Sequence, residues 1–219
     1  MNGRGAAASW ILGLLFSGCG GEPRTRTPAR PAPPLAELGL AIAPAPAPAS
    51  IPIVAAARRQ IGTTVRYDPV YAALAYPGGD VPRDRGVCTD VIIRALRDGA
   101  GVDLQREVHE DMRAHFRAYP NLWGLRGPDR NIDHRRVPNL RRFFERKGWA
   151  LPVPRAAADV RPGDVVTCTV PRNLPHIMLV SDRRADDGTP LVIHNIGAGA
   201  REENRLLEFP LTGHYRGPW

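Results

Sequence analysis

The spacing of apolar residues changes near residue 150, and this change constrains the fold more than any other feature of the sequence. Before that point apolar residues recur three and four positions apart, which predicts amphipathic helices. After it apolar and polar residues alternate between turns that contain glycine and proline, which predicts strands. Helices followed by antiparallel strands indicate an α+β fold, with N-terminal helices packed on a small antiparallel sheet.

Four segments carry the helical spacing, and each one ends before a glycine or a proline. They are residues 53–61, 88–98, 104–119 and 137–147. Five later segments are predicted to be strands, the last two at the edges of the sheet. They are residues 161–170, 176–182, 191–195, 205–210 and 212–216. Residues 63–87 predict irregular chain, because Pro69, Pro77 and Pro82 interrupt any regular element.

The first residues resemble a bacterial export signal. Arg4 precedes an apolar run, residues 6–16, that is too short to span a bilayer. The next stretch, Leu15-Phe-Ser-Gly-Cys19, resembles a lipobox, whose cysteine becomes the lipid-modified first residue of the mature protein. Residues 1–19 are therefore predicted to be a lipoprotein-type signal peptide that ends at Cys19. The alternative is an ordinary signal peptide that is cleaved nearby.

A segment of mostly proline and alanine separates this signal from the rest of the chain. Residues 20–51 cannot bury a core, and we expect them to form a disordered linker with an extended, polyproline-like backbone. Residues 52–219 are long enough for one folded domain. We expect this domain to be exported and lipid-anchored in the cell envelope, facing the periplasm, with the lipid in the membrane.

The formal net charge is +8, but its distribution argues against a nucleic-acid partner. Arginine supplies 29 of the 30 basic residues, and the arginines are scattered, many with acidic neighbours, as in 80–85 and 183–187. No basic stripe with interleaved aromatic residues is present, so we expect no binding of nucleic acid. The excess charge suits an anionic polymer or a membrane surface.

Cys88 is the strongest candidate for a reactive residue. A thiol at the start of a helix faces unpaired N–H groups and the positive end of the helix dipole, and both effects predict a thiolate. His176 begins one predicted strand and His194 ends a neighbouring one. Antiparallel pairing would bring both histidines to one edge of the sheet, beside Cys88. Alternatively, each histidine is structural and Cys88 is a buried core residue.

The sequence contains three other groups of residues that could form a site or a disulfide. A disulfide between Cys88 and Cys168 would suit an oxidising compartment and would remove the nucleophile. His109 and His115 are six residues apart, about 240° around a helix, so they cannot share one ion, and we expect no metal and no cofactor. The loop 129–136 contains arginines and aspartates that either bind an anionic ligand or pair with each other.

The order of these motifs resembles the NlpC-type papain-like cysteine peptidases of bacterial cell walls. In that family a cysteine, a histidine and a third polar residue, often histidine, form the catalytic triad. The matching stretches are Tyr76 with Gly78-Gly79, Val87-Cys88-Thr89-Asp90, Arg161-Pro-Gly-Asp-Val-Val166, His176-Ile177 and Val192-Ile-His194. The Thr89-Asp90 pair stands where the family more often has Ser-Gly.

The stretch from about 53 to 216 also resembles an uncharacterised bacterial family, the domain of unknown function numbered 1287. Its matching motifs are Arg66-Tyr-Asp-Pro69, Tyr76-Pro-Gly-Gly-Asp80, Gly86-Val-Cys-Thr-Asp90, Asp129-Arg-Asn-Ile-Asp-His-Arg-Arg136, Leu174-Pro-His-Ile177 and His194-Asn-Ile-Gly197. This resemblance implies an NlpC-like fold, and it says little about the substrate.

Together the two resemblances imply a catalytic mechanism. In it His176 removes the proton from Cys88 and His194 orients His176. Asn195 is the alternative orienter, although strand alternation points it to the opposite face of the sheet.

The remaining site residues follow from the same interpretation. The backbone N–H of Cys88, with Tyr76 or Tyr67, is expected to hold the oxyanion, and Asp90 is a further candidate for contact with the substrate. The expected function is a thiol hydrolase, a peptidase or amidase, that acts on peptidoglycan peptides or another envelope substrate through an acyl-enzyme. A non-catalytic envelope-binding module and an acyltransferase are the alternatives.

Overall fold

A computed structural model describes residues 51–219. The predicted signal peptide, the lipobox residue Cys19 and most of the linker lie outside the described residues. Four helices occur in the described part, and none of them is both long and apolar enough to cross a bilayer. They are α1 (Pro52–Arg58), α2 (Cys88–Ala100), α3 (Leu104–His115) and α4 (Val137–Arg146).

The strands form one short pair and one larger sheet. In the pair, β1 (Arg66–Tyr67) and β2 (Arg85–Gly86) run parallel. The sheet is antiparallel, with the order β3-β8-β4-β5-β6-β7. Its strands are β3 (Ala150–Leu151), β4 (Val165–Val170), β5 (Leu174–Arg184), β6 (Pro190–Asn195), β7 (Ala200–Glu203) and β8 (Leu211–Tyr215). Helices that precede an antiparallel sheet confirm the predicted α+β class.

Two predictions about the strands are wrong. Residues 212–216 were expected at an edge of the sheet, but β8 lies between β3 and β4. Residues 205–210 form turns, and the edge strand is β7, which pairs with β6. Leu206 is apolar and fully buried, but it lies in a turn and packs against the sheet without being part of a strand. The sequence of β7, Ala-Arg-Glu-Glu, has no apolar alternation to mark it as a strand. Strands β1, β2 and β3, two residues each, were also not predicted.

Helix α2 is the centre of the core between the helices and the sheet. Four of its side chains, Val91, Ile92, Ala95 and Leu96, are completely buried. Each large apolar side chain buried in this way stabilises the fold by about 1.5–3 kcal/mol. Helix α1 crosses α2 closely, since a Cβ on Gly99 would lie 2.6 Å from the Cα of Ile53.

The two faces of the sheet carry separate apolar clusters. The face under the helices contributes Val165, Ile177, Leu179, Ile193 and Tyr215 to the helix-side cluster. The opposite face contributes Val166, Cys168, Met178, Val180 and Val192 to a smaller cluster that Leu206 covers. The distinction between these faces decides how the candidate site residues meet.

Candidate active site

Cys88 is the first residue of α2, and the turn that precedes it is fixed by Asp90. The Asp90 carboxylate accepts the backbone N–H of Val87 at 2.6 Å, which satisfies one of the free donors at the helix start. It also forms a two-point ion pair with Arg135, at 2.9 Å for each contact. Both partners are buried, so Asp90 positions the helix start, and its oxygens are occupied by donors of the protein itself.

Asn195 fixes the same turn from the sheet. Its side-chain amide donates to the carbonyl oxygens of Gly86, at 2.9 Å, and Arg66, at 3.3 Å. The side chain therefore lies on the face under the helices, as strand alternation predicted. This placement leaves the orientation of His176 to another residue.

That residue is His194, which belongs to a chain of three side chains. His176 Nε2 lies 2.8 Å from His194 Nδ1, and His194 Nε2 lies 3.1 Å from Glu203 Oε2. Glu203 stands on β7, the strand that was placed wrongly from the sequence, and it was not predicted. The expected approach of the two histidines is thus present, and a carboxylate extends it.

The carboxylate decides which ring nitrogens carry protons. Because the Glu203 carboxylate accepts, His194 Nε2 donates to it, and His194 Nδ1 is left as an acceptor. His176 must then donate through Nε2, which leaves a lone pair on its Nδ1. A base needs that lone pair, so the chain holds His176 in the form that can take a proton from a thiol.

Cys88 lies next to β5, the strand that carries His176. Alternation along β5 places His176 on the face of Met178, opposite to α2. Strand β5 pairs with β6 from Arg184 as far as Leu179. Two residues beyond, the backbone N–H of Ile177 hydrogen-bonds to the Cys88 sulfur. The thiol is therefore held at the peptide unit that joins His176 to Ile177.

Burial shifts the pKa values of Cys88 and His176 toward their neutral forms. Burial raises the pKa of the Cys88 thiol to about 12, although N–H groups of Ile177, Thr89 and Cys88 itself favour the thiolate. Burial, His194 and Arg205 lower the pKa of His176 to about 3. The N–H groups at the helix start thus act in the predicted direction, but burial acts against them. Cys88 is only 4% exposed, and the loss of solvation outweighs the helix N-terminus.

Tyr67 lies beside Cys88, whereas Tyr76 lies elsewhere. Burial raises the pKa of Tyr67, and the Cys88 thiolate and a hydrogen bond to it add to the rise. Tyr76 packs edge-on against His109, with ring centroids 5.2 Å apart, and Arg130 lies over its ring at 5.6 Å. Of the two predicted tyrosines, Tyr67 is the one placed to contact a group that reacts with the sulfur.

The alternatives of a disulfide and of an anion-binding loop have clear structural outcomes. Cys88 and Cys168 are both free thiols, and they belong to the clusters on opposite faces of the sheet. In the loop 129–136 two arginines form ion pairs, Arg135 with Asp90 of α2 and Arg136 with Asp133 of the loop itself. These ion pairs fix the loop beside the start of α2.

A cleft of about 200 Å³ opens at Cys88. Its walls come from the loop before α2, the loop before α4 and the start of β5. The lining residues include Tyr67, Pro69, Trp123, Val137, Pro138 and Pro175. The cleft is open to solvent and has Cys88 in its lining.

Two comparisons with known proteins cover nearly the whole described domain. The family model described as "Domain of unknown function (DUF1287)" matches residues 54–217. A relative from Escherichia coli (strain K12), "Uncharacterized protein YijF", is 54% identical over 167 residues, which cover 76% of this chain and 81% of that protein.

Proposed function

The chain belongs to the DUF1287 family, whose description names no activity, and from this premise we propose that the domain is a thiol hydrolase of the cell envelope. It cleaves an amide or a similar acyl bond through an acyl-enzyme on Cys88. The observation that carries the proposal is the hydrogen-bonded chain Glu203–His194–His176, which lies on strands of the sheet beside α2, the helix that Cys88 opens. Peptides of peptidoglycan are the proposed substrates.

The neutral resting state sets the order of the chemistry. The Cys88 sulfur attacks the acyl carbon while its proton moves to Nδ1 of His176, so that no free thiolate accumulates. The Tyr67 hydroxyl and the backbone N–H of Cys88 donate to the oxyanion. His176 then passes the proton to the leaving amine. Water, deprotonated by the same nitrogen, releases the acid and restores the thiol.

The tautomer chain supports His194 and Glu203 as positioning residues in this mechanism. Neither side chain touches the acyl group. Each fixes the proton of its neighbour, and Arg205 Nε lies 3.3 Å from the same Glu203 oxygen that meets His194. The papain-like arrangement of NlpC-type peptidases is the fold that we propose for this domain, because the same order of cysteine helix and histidine strands occurs in both.

The sequence before the domain supports the location. An export signal with a lipobox at Cys19 would place the domain outside the cytoplasm on a lipid anchor, and a linker of about 30 residues at ~3 Å each would let it reach the cell wall. Peptidoglycan is the acyl-rich polymer of that compartment.

A second function is favoured by one observation. The raised pKa and the low exposure of Cys88 are typical of a structural cysteine, which would suit a binding module that keeps the fold without the chemistry. This alternative predicts no difference in thiol reactivity when the histidine chain is cut.

The experiment compares alkylation of individual cysteines in the full chain, followed by peptide mass spectrometry. In the hydrolase, iodoacetamide should modify Cys88 at least tenfold more slowly in His176→Ala than in the wild type, because the base is lost. Cys168 serves as the internal control. Equal Cys88 rates in the two proteins would support the binding module. Digestion of purified peptidoglycan, with Cys88→Ala as control, then tests the substrate by its released fragments.

A further inference from the structure

Exposed apolar side chains gather around the Cys88 cleft. Tyr67 and Trp123 line it and are 39% and 41% exposed. Val70, Leu122 and Leu174 are also exposed, and each directly follows or precedes a lining residue in the chain. Exposed apolar residues that lie together around a cavity mark a binding site more often than a surface without function.

The size of the cleft limits what it can hold. Its volume is about 200 Å³. An engineered apolar cavity of roughly 150 Å³ in another protein holds a benzene molecule. The Cys88 cleft therefore has room for one aromatic ring or one branched aliphatic side chain. Pro69, Pro138 and Pro175 form part of its wall and restrict the backbone there.

Trp123 is held in place on the open side of this cleft. The Arg136 guanidinium lies over its ring, 4.0 Å from the centroid, and Arg136 is itself fixed by an ion pair with the buried Asp133 at 3.2 Å. A stacked guanidinium restrains an aromatic ring that would otherwise turn freely in solvent. The indole is thus pre-organised as an apolar wall.

We propose that the Cys88 cleft selects acyl groups with one compact apolar side chain next to the scissile carbonyl, and that Trp123 determines this specificity. The inference rests on the proposed hydrolase and names the acyl side of its substrate. A phenylalanine, leucine or isoleucine side chain fills the cleft, whereas glycine leaves it empty. Arg135 and Arg136 also line the cleft, but their guanidinium groups are paired with Asp90 and Asp133. An anionic side chain therefore meets mainly Trp123 and the prolines and loses its solvation there.

The first test measures turnover of p-nitrophenyl esters by the full chain. The acyl groups are N-acetylphenylalanine, as both enantiomers, N-acetylaspartate and N-acetylglycine. We expect kcat/KM for the preferred phenylalanine enantiomer to exceed that for glycine and aspartate by at least tenfold, as for other apolar pockets. Trp123→Ala should remove most of this preference.

A matched control is Leu207→Ala. Leu207 is an apolar residue of similar exposure, 49%, and it does not line the cleft. Its replacement should leave the ratio of the esters unchanged. If glycine or aspartate is preferred, or if Trp123→Ala and Leu207→Ala have the same effect, the inference is overturned while the hydrolase stands.

A binding measurement separates the two proposals in the other direction. Calorimetry with Cys88→Ala, which cannot react, should detect N-acetylphenylalanine amide but not N-acetylglycine amide, and Trp123→Ala should abolish the difference. Binding of this kind without any Cys88-dependent turnover would refute the hydrolase and support the specificity of the cleft. Equal binding of the two amides would refute the cleft specificity.

Discussion

Two buried histidines of the same sheet are bonded in opposite ways. His176 uses Nε2 for His194, and the remaining nitrogen is left with a lone pair. His214, on β8, meets acceptors at both nitrogens, the Pro152 carbonyl at 3.2 Å and the Asp164 carboxylate at 2.8 Å. Arg216 completes that second cluster with two further bonds to Asp164.

The hydrogen-bond partners distinguish a candidate base from a structural histidine, whereas the degree of burial does not. Both rings are almost inaccessible, 3% in each case. Acceptors face both nitrogens of His214, so neither ring nitrogen is available to a reacting group. Burial would raise the pKa of Asp164, yet hydrogen bonds from Arg216 and His214 outweigh it and lower the pKa, so this cluster is an ion-pair clamp.

The largest effect on activity is expected when the candidate base, His176, is removed. His176→Ala should lower kcat/KM for the N-acetylphenylalanine ester by roughly 10²–10⁴, the usual contribution of a positioned general base. His214→Ala should stay within about twofold of the wild type per folded molecule. Equal losses in the two variants would contradict the assignment of the base. The measurement is initial-rate kinetics at neutral pH, with the folded fraction determined by circular dichroism.

For stability, in contrast to activity, we expect a large effect from the replacement of His214, which pairs with Asp164. His214→Ala leaves the buried Asp164 carboxylate with fewer donors, and we expect the free energy of unfolding to fall by about 3 kcal/mol. His115→Ala is the matched control, since that ring is about half exposed, and it should change stability by less than about 0.5 kcal/mol. Urea unfolding measures both. A loss for His214→Ala no larger than the control would contradict the clamp.

Glu203→Gln tests whether the carboxylate sets the tautomers of His194 and His176, and it leaves both imidazole rings in place. A glutamine amide can donate as well as accept, so it no longer forces His194 to donate through Nε2. Turnover should fall on the order of tenfold to a hundredfold, less than for the base itself. Nitrogen NMR of the imidazoles should show a changed tautomer for His194 and His176. Glu208→Gln, which changes a nearby exposed carboxylate, is the control. Unchanged tautomers in Glu203→Gln would contradict the hydrogen-bonded series Glu203–His194–His176.

Acid should destabilise the protein through His176. Its pKa is lowered from 6.5 to about 3, so its contribution to stability is complete above 6.5 and is lost as the pH falls below that value. Between pH 6.5 and about 5 the loss should be about 2 kcal/mol at 1.36 kcal/mol per unit. The stability of His176→Ala should depend less on pH in this window. Parallel curves for the two proteins, from urea unfolding, would refute the neutral buried ring.

Alkaline pH should destabilise the protein through Cys88, and this loss of stability should be smaller in the pH range that can be measured. The pKa of Cys88 is raised from 9.0 to about 12, so its contribution to stability is complete below 9.0 and is lost as the pH rises above it. Around pH 9.5 we expect a loss of less than about 1 kcal/mol that Cys88→Ala lacks. An increase in stability with pH there would indicate a thiolate in the folded state.

The sequence predicted the elements that position the site better than it predicted the contacts within them. Cys88 opens a helix because the apolar spacing of α2 begins there, and His176 and His194 lie on paired strands because their segments alternate. The side of Asn195 followed from strand alternation in the same way. These features depend on local patterns, which a single sequence contains.

The rest depends on long-range geometry that no local pattern records. Glu203 was missed because β7 is polar and short, and only its pairing with β6 makes it a strand. The route of the Cys88 sulfur to the Ile177 N–H depends on where β5 and β6 cease to pair. The raised pKa of the thiol depends on how deeply the whole fold buries it, which outweighed the local helix effect.

The amide of Asn195 has a consequence for the timing of maturation. It donates to the Gly86 carbonyl across 109 residues of sequence, so this restraint on the turn before Cys88 forms only when β6 has joined the sheet. Contacts between such distant residues form late, after the loops between them have closed. During synthesis or export from the N-terminus, α2 emerges long before its restraints exist. In the proposed hydrolase Cys88 would therefore be without its base until almost the entire domain has been made, and we expect an incomplete chain to show no turnover.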